Sequence, residues 1–218
     1  MDVPLTDPQS AFVFSTKPHP AIVAGLGAGK SRAATMRLIL LMLQDPGINT
    51  LYTMPTYDLL KLRAIPGVID DLNMMGIKYT INKSDYAITI KGLGKIYFRS
   101  YDNPDRLIAF EVAHSVADEL DVLTKQQAQL VWRKITERTR QPSKMKNSLA
   151  AVTTPDQGFS GFVYDRWVTR ADDSTELIKA ATTSNPYLPV GYVDQIRANY
   201  DAALADMYLS LIHISEPT

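Results

Sequence analysis

Cysteine is missing from this 218-residue chain, so the sequence can form no disulfide and offers no thiolate to a metal. Histidine is scarce, and the spacing of His19, His114 and His213 is not that of a metal site. Long apolar runs are also missing, because the longest, residues 38–43, falls far short of the ~20 residues needed to cross a bilayer. A disulfide scaffold, a zinc protein and a membrane protein are therefore all disfavoured.

Net charge is missing as well. Lys and Arg number 23, as do Asp and Glu, so no overall field draws the chain to nucleic acid. Residues 133–146 hold six basic residues against one acid, Glu137, and could meet a phosphate backbone, although a solvated helix surface is the commoner explanation. Residues 1–10 lack the basic and apolar regions of a signal peptide, and the lack of cysteine suits a cytoplasmic location.

What the sequence does contain is a glycine-rich turn between a short apolar run and a helix-like segment, in residues 21–32 (AIVAGLGAGKSR). Glycines let backbone N–H groups gather around a phosphate, and the following helix presents its positive end to that anion. The pattern matches the phosphate-binding loop G-x-x-x-x-G-K-[ST], except that Ala24 stands at the first glycine. A chance lysine after an ordinary turn is the weaker alternative. The predicted nucleotide-binding residues are Gly25, Gly27, Ala28, Gly29, Lys30, Ser31 and Arg32.

Two residues of this loop predict the cofactors. Lys30 is expected to reach the β- and γ-phosphates, and the Ser31 hydroxyl is expected to hold Mg²⁺. The sequence therefore predicts a site for ATP and Mg²⁺.

Apolar runs alternate with helix-like segments along the chain, which predicts an α/β P-loop NTPase with a largely parallel central sheet flanked by helices. Three short runs between residues 77 and 100 predict a small antiparallel meander. Further strands are predicted at 21–24, 49–54, 112–117, 149–153, 164–168 and 177–182, and helices at 32–44, 58–75, 124–139 and 193–209. The helix at 58–75 is expected to break or kink at Pro66-Gly67.

Two adjacent carboxylates end the apolar segment VAHSVADE. Ligands bind at the carboxyl ends of parallel strands, so Asp118 and Glu119 are placed to act on a nucleotide. Asp118 is expected to hold Mg²⁺ beside Ser31, and Glu119 to orient and deprotonate the attacking water. The alternative is an acidic turn at a strand end with no chemical role.

Weaker signals come from two further places. Thr153 and Thr154 follow an apolar strand, and hydroxyls there could sense a γ-phosphate, although an ordinary Thr-Pro turn is the simpler interpretation. Gln9 precedes the apolar run AFVFS, and its amide could recognise the edge of adenine, although a solvated glutamine is the simpler interpretation.

Taken together, these segments resemble the ATPase domain of the large terminase subunit of tailed bacteriophages, the motor that packages DNA into a prohead. The resemblance covers nearly the whole chain, and it rests on Gln9, AGLGAGKS, FRSYDNPDRL before VADELD, AVTTP and the long stretch TTSNPYLPVGYVDQIRANYDAALADMYL. It implies that Gln9 contacts adenine and that Thr153 and Thr154 form the motif coupling hydrolysis to movement on DNA. It also implies that Asp118 is the metal carboxylate and Glu119 the catalytic base.

The chain departs from this family at the phosphate loop, where Leu26 stands in place of an arginine that many terminases carry. A charge that stabilises the transition state must then come from elsewhere, and a neighbouring subunit could supply it. Arg106 is the first candidate for that catalytic role and Arg99 its rival.

The domain organisation implied is a terminase-like ATPase domain over residues 1–209. Residues 210–218 (SLIHISEPT) look like a translated sequencing adapter and are interpreted as non-native. The nuclease domain of the family is expected to be absent from this chain, so nuclease activity is not predicted.

The resemblance also implies the partners: double-stranded DNA, the portal of the prohead, the small terminase subunit and further copies of the chain in a ring, with no membrane involved. The expected location is the host cytoplasm, not the virion. Two alternatives stay open. One is another P-loop translocase such as a helicase, which usually needs two motor lobes. The other is a nucleotide-binding scaffold without turnover.

Overall fold

The structure is a computed structural model that describes residues 4–102, 107, 110–201, 205 and 209. Arg106 and the segment 210–218 lie outside the described residues. In chain order the strands are β1 (His19–Ala24), β2 (Thr50–Met54), β3 (Tyr79–Asn82), β4 (Ala87–Ile90), β5 (Gly94–Ser100), β6 (His114–Asp118), β7 (Ser148–Thr153) and β8 (Thr175–Ala180). The helices are α1 (Asp7–Phe14), α2 (Lys30–Gln44), α3 (Tyr57–Leu59), α4 (Ile65–Met74), α5 (Lys125–Thr136), α6 (Phe162–Tyr164) and α7 (Tyr192–Asn199), with π-helical turns at Leu60–Ala64 and Asp165–Thr169.

These strands form one sheet in the order β3-β4-β5-β2-β6-β7-β1-β8. All neighbours from β5 to β8 pair in parallel, whereas β3 and β4 extend the β5 edge in antiparallel fashion. The predicted α/β class and the predicted antiparallel meander are both confirmed. Within the described residues, no helix combines the length and apolarity needed to span a membrane.

Helices cover both faces of the sheet. Successive side chains of a strand point to opposite faces, so each strand contributes to two hydrophobic cores. In β1, Ile22 belongs to the core under α2 and α4, whereas Val23 belongs to the core under α5. The central strands are accordingly buried along their whole length, as expected for a parallel sheet covered on both faces.

A buried arginine fixes α1 against α2. The Arg37 side chain is 2% exposed, and its guanidinium donates to the carbonyl oxygens of Phe12 (2.8 Å) and Ser15 (2.9 Å). Burial lowers the pKa of Arg37 to about 10. These contacts anchor the end of α1, and so they determine where Gln9, in its first turn, meets the chain.

Two element predictions are wrong. Residues 164–168, predicted as a strand, are helical, because Trp167 packs edge-on against Trp132 and its indole N–H donates to the His19 carbonyl (2.8 Å). The helix predicted for 193–209 is not continuous, because α7 ends at Asn199 and Tyr200 turns to extended backbone.

The helix predicted after β2 is present, but its irregular turn lies at a different place from the predicted one. Pro66 is the second residue of α4, and the chain stays helical from Tyr57 through Met74, so no break occurs at this proline. The irregular part is instead the π-helical turn Leu60–Ala64, closed by the Ile65 N–H donating to the Leu60 carbonyl.

Candidate active site

Three polar segments meet at the carboxyl edge of the sheet. The glycine-rich loop leaves β1 after Ala24, Asp118 ends β6, and Thr153 ends β7. Because β7 pairs with both β1 and β6, these segments leave from adjacent strand ends. The clusters predicted from the sequence to share one edge of the sheet do lie together.

The glycine-rich loop depends on backbone conformations that favour glycine. Gly27 and Gly29 both have left-handed backbone, with φ of 73° and 81°. The Gly25 N–H donates to the Ala180 carbonyl (2.9 Å), which ties the start of the loop to β8. A larger residue at Gly27 or Gly29 would be strained, so the path of the loop into α2 depends on glycine at these positions.

Gln9 is placed directly against this loop. Its side-chain nitrogen Nε2 donates to the Gly29 carbonyl (3.0 Å), and its oxygen Oε1 accepts from the Thr6 N–H (2.9 Å). A Cβ added at Gly29 would lie inside van der Waals contact with that amide nitrogen. Gln9 thus packs on the loop, and its contact with adenine stays a prediction.

Lys30 and Glu119 face each other across the strand ends. Lys30 is the first residue of α2, and its Nζ lies 3.4 Å from Glu119 Oε1. The guanidinium of Arg63 reaches the same carboxylate oxygen, at 3.8 Å from NH1. The Glu119 carboxylate therefore lies between two cations. The side chains of Lys30 and Glu119 are only 10% and 12% exposed, so the site is largely shielded from solvent. An entering phosphate is an anion that such cations can share.

Glu119 has an unusual backbone for a residue with a side chain. Its φ and ψ are 56° and 41°, in the left-handed region. For residues other than glycine this conformation costs about 1–2 kcal/mol. Such strain concentrates at functional sites, where the surroundings hold it in place. Here it turns the Glu119 carboxylate toward Lys30 immediately after the strand ends.

Asp118 is fully buried at the end of β6. The Tyr52 hydroxyl donates to its Oδ2 (2.6 Å), the Glu119 N–H donates to its Oδ1 (2.9 Å), and the Tyr101 hydroxyl donates to its carbonyl. Burial, and next the negative charge of Glu119, raise the pKa of Asp118 to about 6. A cation beside this carboxylate would relieve both effects.

The donors at this edge fit Mg²⁺. A carboxylate at Asp118 and a hydroxyl at Ser31 are oxygen ligands, which this hard cation prefers. Among the described residues no group of three or more His, Asp and Glu side chains is gathered around a metal position. Mg²⁺ in phosphate-transfer sites is held by one or two carboxylates together with substrate phosphates and water.

With this geometry in view, comparison with known proteins identifies the family. The model for the N-terminal part of the terminase large subunit, T4-like-virus type, matches residues 21–215. The chain belongs to this terminase family. No curated protein sequence matches the chain.

Solved terminases share the fold. The large terminase of a thermophilic bacteriophage superposes with a TM-score of 0.76 at 15% identity, covering 95% of this chain and 53% of that one. The same terminase in complex with ATP-γ-S gives 0.72 at 16% identity, covering 94% of this chain and 52% of that one. The ATPase domain of the Thermus phage P74-26 large terminase gives 0.68 at 15% identity, with coverage of 94% and 92%. This chain therefore spans about half the length of the first of these terminases.

In this terminase chain the Thr153-Thr154 segment is joined to the acidic segment by Asp121. The Asp121 N–H donates to the Thr153 hydroxyl (3.0 Å), and Asp121 Oδ2 accepts from the Gln157 N–H (3.1 Å). The Thr154 hydroxyl donates to Asp156 (2.6 Å). A shift of the loop that carries Glu119 would therefore also move Thr153, because Asp121 lies two residues after Glu119 and is hydrogen-bonded to Thr153.

Asp121 gives a pH-dependent prediction. Burial raises its pKa to about 6, in spite of hydrogen bonds from the Gln157 and Val163 N–H groups. Between pH 4 and 6 the folded chain thus keeps a proton that the unfolded chain has lost, so this contribution to stability is present at low pH and lost as pH rises through 6. The unfolding free energy of wild type, relative to Asp121→Asn, should fall by roughly 2–3 kcal/mol from pH 4 to pH 7.

Urea unfolding of wild type and Asp121→Asn between pH 4 and pH 7 measures the difference in unfolding free energy. Asp118 is present in both proteins, so its titration cancels from this difference. The exposed carboxyl of Asp58 provides the control, because its side chain is 87% exposed. A pH-dependent difference that Asp121→Asn shows and Asp58→Asn does not would then be caused by the buried position and not by the substitution itself. A difference for Asp121→Asn that stayed constant or grew with pH would contradict the prediction.

A segment that follows β8 closes over the glycine-rich loop. The Thr182 hydroxyl donates to the Leu26 carbonyl (2.8 Å), and the Asn185 amide donates to the Gly27 carbonyl (2.6 Å). A Cβ added at Gly27 would lie 2.8 Å from Leu188 Cδ2, so this approach also requires glycine. Leu26, which stands where many terminases carry arginine, packs with Ile196 of α7.

The remaining predicted residues differ in placement. Arg32 points along α2 toward α4, with Nε 3.7 Å from Asp71 Oδ1. Arg99 is engaged at the meander, where its guanidinium donates to the Asp85 carbonyl (2.8 Å) and lies 5.4 Å from the centre of the Phe110 ring. The other candidate for the transition-state charge, Arg106, lies outside the described residues.

The sequence analysis missed Arg63 and Asp121. Asp121 sits two residues beyond Glu119, and the spacing D-E-x-D was a signal for it. Arg63 gave no comparable signal, because its direction depends on the π-helical turn that contains it.

Proposed function

We propose that this chain binds ATP with Mg²⁺ and hydrolyses it as the motor domain of a terminase large subunit, coupling hydrolysis to movement of double-stranded DNA into a prohead. The observation that carries the proposal is the 3.4 Å contact between Lys30 Nζ and the Glu119 carboxylate. It brings a phosphate-binding lysine and a general base to one point, beside a loop whose N–H groups suit a phosphate. The thermophilic-bacteriophage terminase has been solved with ADP and with ATP-γ-S, which supports a nucleotide ligand.

Ser31 and Asp118 would hold Mg²⁺, which neutralises phosphate charge and orients the phosphates when bound. Lys30 adds a fixed positive charge next to the loop. Glu119 orients a water and accepts its proton, since its carboxylate is held by strained backbone next to Lys30. Gln9 is proposed to contact adenine, and Thr153 and Thr154 to pass the change at Glu119 to the rest of the domain through Asp121.

The partners proposed follow from the family: double-stranded DNA, portal, small terminase subunit and a ring of identical chains, all in the host cytoplasm. In such a ring Arg106 is proposed to act on a neighbouring subunit. Residues 1–209 are proposed as the ATPase domain. Turnover separates this proposal from a nucleotide-binding scaffold, which would bind ATP and leave it intact.

Gly29→Ala tests whether the loop is the site. Alanine at φ 81° is strained, and its Cβ would expel the Gln9 amide and break both of its hydrogen bonds. We expect unfolding to become easier by about 2–4 kcal/mol and slow, Mg²⁺-dependent ATP hydrolysis to be lost. Phosphate release, with and without duplex DNA, and urea unfolding are the measurements.

Gly92→Ala is the matched control. Gly92 has φ of 82°, and a Cβ there would meet nothing within 4 Å, so only the conformational cost of about 1–2 kcal/mol applies. This variant should hydrolyse ATP like wild type. Equal hydrolysis by the two variants, both folded at the assay temperature, would count against a nucleotide at this loop.

A further inference from the structure

The phosphate loop of this chain supplies one cation to the reacting centre. Lys30 faces Glu119, whereas Leu26 packs against α7 and Arg32 contacts Asp71. Phosphoryl transfer develops negative charge on the transferred group, and catalysis relies on cations that stabilise this charge. A second cation near Glu119 would meet that need.

Arg63 is in position to be this cation. Its NH1 lies 3.8 Å from the oxygen Oε1 of Glu119 that Lys30 also approaches. It reaches the site because β2 pairs with β6, so the helical segment after β2 begins beside the strand that ends in Asp118. The same residue borders a cavity of about 470 Å³, which Ser31 also lines.

The local backbone is built to direct this side chain. Arg63 lies in the π-helical turn Leu60–Ala64, whose first and last residues are buried in the core. A π-helical turn is rare, occurs frequently at functional sites, and changes the direction of side chains relative to a regular helix. The Arg63 side chain is 60% exposed, so it can follow an anion that enters next to Glu119.

We propose that Arg63 is a catalytic residue that leaves Glu119 for the terminal phosphate of ATP and stabilises the charge that develops there, within one and the same chain. A guanidinium suits this role because its fork of N–H groups matches phosphate oxygens. The Glu119 carboxylate holds Arg63 at the site until the phosphate arrives. This inference rests on the proposed ATPase function.

The test is trapping of ADP by aluminium fluoride, a mimic of the transferring phosphoryl group, alongside binding of labelled ATP. Arg63→Ala should bind ATP within about threefold of wild type and retain trapped ADP about 100-fold less well, the size of effect expected for one lost transition-state donor. Arg63→Lys should restore part of the trapping. Because the Arg63 side chain is 60% exposed, its ion pair with Glu119 adds little to stability, and the urea midpoint of Arg63→Ala should lie close to that of wild type.

Lys61→Ala is the matched control. Lys61 lies in the same π-helical turn and is 53% exposed, but it faces Asp58 and the Tyr86 ring. Trapping by Lys61→Ala should equal that of wild type. Equal trapping by Arg63→Ala and Lys61→Ala, or faster hydrolysis in Arg63→Ala, would overturn the inference.

Trapping by wild type should occur at concentrations where sedimentation shows a monomer. If trapping occurred only where the chain oligomerises, a neighbouring subunit would supply the required cation, as proposed for Arg106, and the inference of a cation from the same chain would be overturned. Either result leaves the proposed ATP hydrolysis intact, because that proposal fails on other outcomes: no hydrolysis by wild type, unchanged hydrolysis by Gly29→Ala, or unimpaired ATP binding by Lys30→Ala.

Discussion

Replacing Glu119 by glutamine is expected to slow ATP hydrolysis by about 10²–10⁴-fold while ATP still binds, because a general base contributes a factor of this size. The amide keeps the shape of the carboxylate but cannot accept the proton of the attacking water. ATP affinity should hold or improve, since the substitution removes a negative charge 3.4 Å from Lys30 Nζ, where phosphate charge is expected. Single-turnover hydrolysis and equilibrium binding of labelled ATP separate the two effects.

Glu111→Gln is the control for this variant. Glu111 is 51% exposed and pairs with Arg140 at 2.8 Å, so the same chemical change is made outside the site. It should leave hydrolysis unchanged. Wild-type hydrolysis by Glu119→Gln would show that another group takes the proton, and the assignment of Glu119 as the base would be lost.

Lys30→Ala should weaken ATP binding by about 100-fold and reduce hydrolysis at least as much, because a charge-assisted contact to phosphate contributes about 1.5–3 kcal/mol. The variant also leaves Glu119 with less positive charge around it, at a side chain that is 12% exposed. Its unfolding free energy should therefore drop slightly. Lys91→Ala, at an exposed turn of the meander, is the control.

A double-mutant cycle makes the Lys30 prediction sharper. Adding Glu119→Gln to Lys30→Ala should recover the small loss of stability, because the uncompensated carboxylate is then gone. ATP affinity should stay low in the double variant, since its phosphate-binding lysine is still missing. Unimpaired ATP binding by Lys30→Ala would refute the assignment of the loop.

The sheet and the main site could be predicted because both rest on local rules. Parallel strands end at one edge, so Asp118 and Thr153 had to lie near the loop that follows β1. The glycine pattern predicted a tight turn between β1 and α2, and the structure has that turn with left-handed backbone at Gly27 and Gly29.

Features that depend on tertiary packing could not be predicted from the sequence. Residues 164–168 were predicted as a strand, and only the contact of Trp167 with Trp132 shows why they are helical. Arg63 was not among the residues singled out from the sequence. The approach of Arg63 to Glu119 arises from the pairing of β2 with β6 and from a π-helical turn. Neither feature can be recognised in the local sequence.

The left-handed backbone at Glu119 has a practical consequence for engineering. A common route to a heat-resistant variant is to place glycine wherever a larger residue has positive φ, and Glu119 and Tyr86 are such residues in the described part of the chain. At Tyr86 this choice relaxes the backbone at a residue that contributes no group to the proposed site. At Glu119 it would remove the proposed proton acceptor, so a thermostability screen that measures only folding would select variants that lack the proposed catalytic base.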